Sequence, residues 1–410
     1  MKIMYKKMMG FFKKIRGFFI RLHNLTNTKG LLGSALVIAG VNIGVGMLAL
    51  PVVTAEAGFF PASVLYSLCC LFIILLARLI LEACTWLPLG SNLITIAKTF
   101  LGMPGAVACW VIYLFLFYCL LIAHIAAGGD AILDLSQNTL PHWLSTTIYL
   151  LIFSPVVYLG TRDVEKINAY LMVGICLAFI LFIATALPHL KKELIFAQDW
   201  SYTRPALFAV LAAFGFQNLI PTLYTYLKGD HKTLRKAIWI GTIIPLLLYI
   251  IWEGLTLGII PKSDLIAARA LGQSAIEPLQ SALQNNAVTL FAKWFATLAM
   301  STSFMGMSLA FIDFWADGLK LKKEGLQHGF LMVLVFAIPF IAVLINPDIF
   351  ITALALAGGI GELLLYGILS SLYIWAGRYF YRKSLSHQFV PGGKGGLVLI
   401  FLTCLFCLLI

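Results

Sequence analysis

Runs of about twenty apolar residues, separated by short polar connections, recur from residue 31 to residue 410. Roughly 20 residues rising 1.5 Å each are what a hydrocarbon core of about 30 Å requires. The pattern therefore predicts eleven membrane-crossing helices, near 31–54, 59–85, 105–133, 143–160, 165–187, 204–227, 234–260, 286–317, 327–346, 349–377 and 395–410. The fold class that follows is an all-α integral membrane protein. Residues 1–29 differ: Lys6, Lys7, Lys13 and Lys14 interleave with Phe11, Phe12, Phe18 and Phe19. That segment reads as a basic amphipathic helix on the cytoplasmic leaflet, with a purely topogenic basic tail as the alternative. It has neither the continuous apolar stretch nor the small-residue cleavage site of a secretory signal.

Two of the spans are interrupted. Residues 38–51, IAGVNIGVGMLALP, place Gly40, Asn42, Gly44, Gly46 and Pro51 inside an apolar helix, and residues 212–221, AAFGFQNLIP, do the same with Gly215, Gln217, Asn218 and Pro221. In hydrocarbon every backbone polar group needs a partner, so a helix breaks at depth only where the freed groups face protein, water or a ligand. The competing reading of the first stretch is a G-x-x-x-G packing contact through Gly40 and Gly44. The breaks lie in the first and sixth spans, five helices apart. Because five is odd, the two halves run in opposite directions, and paired broken helices in inverted repeats point to a transporter binding site. The domain organisation is then 1–29 as the basic N-terminus, 30–187 as one repeat of five helices, 204–377 as the second, and 390–410 as an added helix.

Composition agrees with a membrane protein and charge sets its orientation. The chain is 61% hydrophobic and 11% charged, with a mean hydropathy of +0.96, against roughly 25% charged residues in soluble domains. The net charge of +12 is no nucleic-acid signal. One set of alternate connections carries 22 Lys and Arg and the other six, which by the positive-inside rule puts the N-terminus in the cytoplasm. Eleven spans then leave the C-terminus on the outer side of the membrane. All eight cysteines sit in or beside apolar spans and read as packing residues. Cys404 and Cys407 lack the second pair or the nearby His of a zinc site.

Several polar residues inside the spans are candidates for chemistry. Arg78 and Glu82 stand one helical turn apart and can neutralise each other as a structural pair or inner-gate element. Tyr118 lies near mid-depth on the third span. His124, on the same helix, could relay protons or be a satisfied packing residue. Asp130 and Asp134 close that helix and read as solvated. Glu253 in the seventh span has no evident local partner. Residues 261–286 read as two short helices capping the outer face. Thr302 and Ser303 could donate oxygens to a small cation, or back-bond to their own helix. The tenth span has a flexible patch at Gly358, Gly359 and Gly361, followed by Glu362.

Three stretches carry a resemblance: IAGVNIGVGMLALP, FGFQNLIPTLYTYLKGD from Phe214 to Asp230, and LAMSTSFMGMSLAFIDFWAD from Leu298 to Asp317. They are similar to the bacterial aromatic amino acid permeases, the tyrosine- and tryptophan-specific carriers of the amino acid–polyamine–organocation superfamily. The resemblance implies the five-plus-five inverted repeat of the leucine transporter with an eleventh helix appended, and secondary active transport of an amino acid without a cofactor.

Half-helix N-termini suit a carboxylate, so Asn42, Ile43, Gly44 and Gly46 are expected to hold that group, and the backbone of Phe214, Gly215 and Phe216 the amino group. Phe214, Phe216, Tyr118 and Phe304 would enclose an aromatic side chain, with Gln217 or Asn218 available to its polar atom. Proton-using relatives tend to carry a lysine in the fifth span, where this chain has Val173–Cys176. A sodium ion at Thr302 and Ser303 therefore competes with a proton acting through His124 or Glu253, and protons are preferred on family grounds.

The runner-up substrate is a small neutral or hydroxy amino acid. A channel would show rings of like charge or filter loops, and none is visible; a non-transporting amino acid sensor is the other alternative. An enzyme is not expected, since no nucleophile–base pair or metal-ligand cluster occurs. The partners expected are an amino acid and the bilayer.

Overall fold

The computed structural model describes residues 29–136, 139–283, 286–383 and 388–409. The predicted amphipathic N-terminal segment lies outside the described residues. All regular structure among the described residues is helical. Eight helices are long and apolar enough to cross a membrane, and a ninth span is formed by a pair bent by 51°. That pair is α1 (Lys29–Asn42) and α2 (Val45–Thr54). Next come α3 (Phe59–Thr85), α4 (Leu93–Leu135), α5 (His142–Tyr158) and α6 (Thr161–Ala186). The sixth predicted span is α7 (Thr203–Ala213), an irregular stretch, and α8 (Ile220–Tyr226). Then follow α9 (His231–Ile259), the short α10 (Lys262–Ala270) and α11 (Ile276–Ala282), α12 (Asn286–Leu319) and α13 (Gly325–Ile345). The tenth span is α14 (Pro347–Phe380), and α15 (Gly393–Leu409) closes the chain. Helices of 17 residues each occupy the positions of the predicted fourth and eleventh spans.

Local sequence explains the boundaries. Gly102, at φ 71°, joins a short surface helix to the long run of α4, a conformation glycine adopts without the Cβ penalty. Asn92 caps the start of that helix by accepting from the Thr95 N–H. α14 departs from α-helical winding over Ala357–Ile368, where it is π-helical. π-Segments cluster at functional sites because the extra residue re-aims side chains. Glycines let this segment approach closely: a Cβ on Gly358 would collide with Phe208 O of α7, and one on Gly359 with the Phe208 ring. α14 is thereby pressed against the helix that leads into the second break.

Two sequence expectations about charge are corrected by packing. Glu82 does not pair with Arg78: it is held by Arg378 of α14, whose Nε and Nη2 each donate at 2.6 Å, and by the Phe389 N–H at 2.9 Å. One turn away, Arg78 instead sits over the Trp239 ring at 5.9 Å, because the helix presents the two residues to different neighbours. Asp130 and Asp134 are not free in solvent either. His142 bonds Asp130 at 3.1 Å and Lys293 pairs with Asp134 at 2.7 Å.

The two short outer helices are present. They cap α2 through Arg269 on Glu56 at 2.8 Å, Lys262 Nζ on Glu56 O at 2.8 Å, and the Ala275 N–H on Leu48 O at 3.3 Å. Of the described cysteines only Cys176 is exposed, and all are free thiols.

Candidate functional site

The first break is a turn of two residues. The Ile43 N–H still reaches Ala39 O at 2.9 Å, Gly44 is extended at φ −155° and ψ −150°, and the Met47 N–H opens the next helix on Gly44 O at 3.2 Å. The Val45 and Gly46 amides that open α2 have no intrahelical acceptor, as at any helix start, and the helix dipole adds positive potential there. In the second break α7 ends at Ala213 and the chain tightens: Phe214 N–H to Leu211 O at 2.9 Å, Gly215 N–H to Ala212 O at 3.3 Å, Phe216 N–H to Phe214 O at 2.9 Å. Pro221 then starts α8, where its missing N–H costs nothing.

The two breaks meet. A Cβ on Gly46 would lie 2.8 Å from the Ala213 Cα, so the start of α2 touches the end of α7 and only a glycine permits it. Gly40, by contrast, has nothing nearer than the Met172 Cε at 3.9 Å, which removes the G-x-x-x-G packing explanation for that pair. Tyr249 of α9 ties both ends together: its buried hydroxyl lies 2.7 Å from Asn42 O and 2.5 Å from Ala213 O. One O–H is shared between the last carbonyls of the two half-helices. Sequence reasoning missed Tyr249, since nothing local to it marks the contact.

Beside this junction is a small cavity of about 20 Å³. Asn42, Gly44, Gly46, His124, Gly215 and Ser303 line it together with apolar side chains that include Leu120, Met307 and Leu354. His124 is fully oriented. Its Nδ1 faces Leu120 O at 2.7 Å, a carbonyl that can only accept, so Nε2 is left to accept from the Ser303 hydroxyl at 2.9 Å. Ser303 in turn abuts the first break, where a Cβ on Gly44 would lie 2.5 Å from its Oγ. Two of the four ion-coupling candidates are thus joined to each other and to the break.

The remaining predicted residues lie elsewhere. Thr302 back-bonds to Ala299 O at 2.8 Å. Glu253 finds the partners that sequence did not show, the Thr54 hydroxyl and the Tyr66 hydroxyl, the latter at 2.7 Å, on the outer side of the break. Tyr118 donates to Leu334 O of α13 at 3.0 Å, and Phe304 packs among Tyr149, Phe153 and Phe336. Phe214 lies against Tyr249, with ring centroids 5.0 Å apart, and Phe216 is fully buried. None of these four rings is among the cavity's lining residues. Among the described residues, Asn42 and Gln217 bury both side-chain polar atoms with no partner, and Asn218 Oδ1 is also unpaired. Glu362, given no role from sequence, is buried with both oxygens unpaired among the described residues, and its Oε1 occupies the place a Gly215 Cβ would take. The glycine patch before it was the available signal.

A second cavity opens on the outer side, lined by Asp130, Asp134, Glu277 and Lys293 beneath α11. Burial pushes the Glu277 carboxyl up to about 7, with Asp130 and Asp134 adding to the effect.

Residues 27–410 match the tryptophan/tyrosine permease family. The chain belongs to that family. This permease is 30% identical to the tryptophan-specific transport protein of Pseudomonas aeruginosa (strain UCBPP-PA14), in a match covering 80% of this chain and 82% of that protein. It is also 30% identical to tyrosine-specific transport system 1 of Haemophilus influenzae, covering 80% and 83%. Among solved structures it resembles a mutant of the Eremococcus coleocola manganese transporter, with a TM-score of 0.61 and 14% identity over 93% of this chain and 85% of that one. At that identity the likeness is one of fold alone. This permease is a membrane transport protein of the aromatic amino acid class and not an enzyme.

Proposed function

We propose that this permease imports tyrosine, tryptophan or both across the bacterial inner membrane by proton symport. It does so by alternating access in a fold of two inverted five-helix repeats plus an eleventh helix, with the N-terminus cytoplasmic and the C-terminus periplasmic. The observation that carries the reading is the cavity at the meeting of the two breaks, lined by Asn42, Gly44, Gly46 and Gly215.

There the amides at the start of α2 receive the substrate carboxylate, and the carbonyls around Phe214–Phe216 receive its ammonium. Asn42 and Gln217 bring unpaired amides to the same junction. The ring enters the apolar part of the lining, against Leu120, Met307 and Leu354. Met307 is unbranched and adaptable, which suits a wall that must open, because the cavity of about 20 Å³ holds little more than one water. His124 and Ser303 couple that wall to α4 and α12.

A second reading, a carrier of a small neutral amino acid, is favoured by one specific observation: the cavity lining contains no Phe, Tyr or Trp. It also fits a relative described as glutamine transporter 2 of Aliivibrio fischeri, 25% identical over 93% of this chain.

Competition of labelled tyrosine uptake by each of the twenty amino acids, with and without sodium, separates the readings. Tryptophan, tyrosine and phenylalanine should compete most strongly, in sodium-free buffer. Strong competition by glutamine or serine, with a sodium requirement, would replace the first reading by the second.

A further inference from the structure

Among the described residues three glutamates are buried within the helices, each at most 1% exposed: Glu82, Glu253 and Glu362. Glu82 has a guanidinium and a backbone N–H, and Glu253 has two hydroxyls. Glu362 has nothing: among the described residues neither oxygen meets a donor or a cation. Leaving a bare carboxylate in a dry interior costs several kcal/mol, so such a group persists only as the neutral acid or when donors come to it.

The position of this acid is specific. The π-helical turn Ala357–Ile368 sets the register of Glu362 on α14, and Gly358 and Gly359 seat that turn against α7. Its Oε1 therefore presses on Gly215. Gly215 lines the central cavity and Glu362 does not, so the carboxyl stands behind the second break and touches the wall of the cavity, not its contents. The titratable groups that its charge reaches are Cys69 of α3, Tyr249 of α9 and Tyr366 of its own helix. Beyond them, Cys407 of α15 lies near Cys69, and Tyr113 of α4 near Tyr366. None of these is a cation.

We propose that Glu362 carries the coupling proton of this permease. The step is a proton transfer alone: the neutral acid loses its proton to water on the side toward which the carrier opens, leaving a carboxylate, and regains one from the opposite side. As the neutral acid it rests dry against Gly215. The carboxylate draws donors from the second break, where the Gly215 N–H holds a long bond to Ala212 O at 3.3 Å and the Gln217 amide is unpaired. Reshaping that loop reshapes the cavity wall, which is how protonation and substrate affinity become linked.

This inference rests on the proton-symport reading, and the test separates the two. Wild type and Glu362→Gln are reconstituted in proteoliposomes. Two quantities are measured with labelled tryptophan in sodium-free buffer: counterflow against internal unlabelled tryptophan, and accumulation under an imposed gradient of one pH unit, worth about tenfold for one proton per substrate. Wild type should do both, and E362Q should retain counterflow while accumulation falls to the equilibrium ratio. Gradient-driven accumulation by E362Q at the wild-type level overturns the role of Glu362 alone. A wild type that ignores the proton gradient but accumulates on adding sodium overturns the proton reading itself, and this role with it. Should E362Q show no counterflow, Glu362→Asp decides: a displaced pH profile of accumulation supports the role, and an unchanged one overturns it.

Discussion

Glu82 and Glu362 are equally buried, each 1% exposed, and both belong to the packing around α14, yet their surroundings are opposite. Glu82 is saturated. Arg378 grips it with two bonds of 2.6 Å and the Phe389 N–H adds a third donor, so α3, α14 and the chain before α15 are locked together. Glu362 stands at the second break with no donor among the described residues. A buried charge with complete partners fixes one arrangement, whereas one without partners makes the local structure sensitive to a proton. The difference marks which part of the molecule is scaffold and which part is free to respond.

The largest effect should come from breaking the saturated pair. Arg378→Met leaves Glu82 buried with one backbone donor, a loss of about 3–5 kcal/mol by the usual cost of orphaning a buried partner. Thermal melting in detergent should register it as a large fall, and a double variant with Glu82→Leu should recover most of the loss. If the double variant melts as low as the single one, the clamp acts through something other than pairing.

Tyr249→Phe sharpens the other side of the comparison. It removes the hydroxyl shared by Asn42 O and Ala213 O and leaves two buried carbonyls, at a cost of about 1–3 kcal/mol. Uptake should fall together with melting temperature, because this bond joins the two breaks; a variant with wild-type melting and uptake would show that the junction does not depend on it.

The smallest effect is at the outer cap. Glu277 is held up at about 7 against an ordinary 4.5, so the folded state binds the proton more tightly than the unfolded one. Its contribution to stability is complete below the ordinary value and is lost as pH rises through about 7. Melting between pH 5 and pH 8 should therefore show a decline that Glu277→Gln reduces. An equal decline in the variant would assign it to neighbours such as Asp130.

What sequence disclosed, and what it hid, follows from the range of the forces involved. Both breaks, at Gly44 and Gly215, were legible because glycine, amide and proline inside an apolar run contradict local helix formation whatever surrounds them. The two outer helices were legible from their alanine-rich runs, a signal equally local. The partners of Glu82 and Glu253 were not, since Arg378 and Tyr66 are brought to them only by helix packing. Spacing proposed Arg78 for Glu82 because one turn is the only geometry a sequence displays. Which side chains line the cavity was not legible for a related reason: a phenylalanine on a membrane helix has the same apolar character whether it faces a cavity, a neighbouring helix or lipid. Tyr118 and Phe304 were drawn to α13 and α5, and the cavity wall fell to Leu120, Met307 and Leu354.

The central claim is that substrate binds where the two breaks meet. Equilibrium binding of labelled tryptophan and tyrosine to purified wild type and to Gly44→Ala measures it most directly, with melting temperature recorded to confirm that the variant is folded. The added Cβ would lie 2.5 Å from Ser303 Oγ, forcing Ser303 from His124 and crowding the amides of the first break. Affinity for both amino acids should drop by about tenfold or more, a loss of roughly 1.4 kcal/mol. A folded Gly44→Ala protein that binds both amino acids as tightly as wild type would contradict the account.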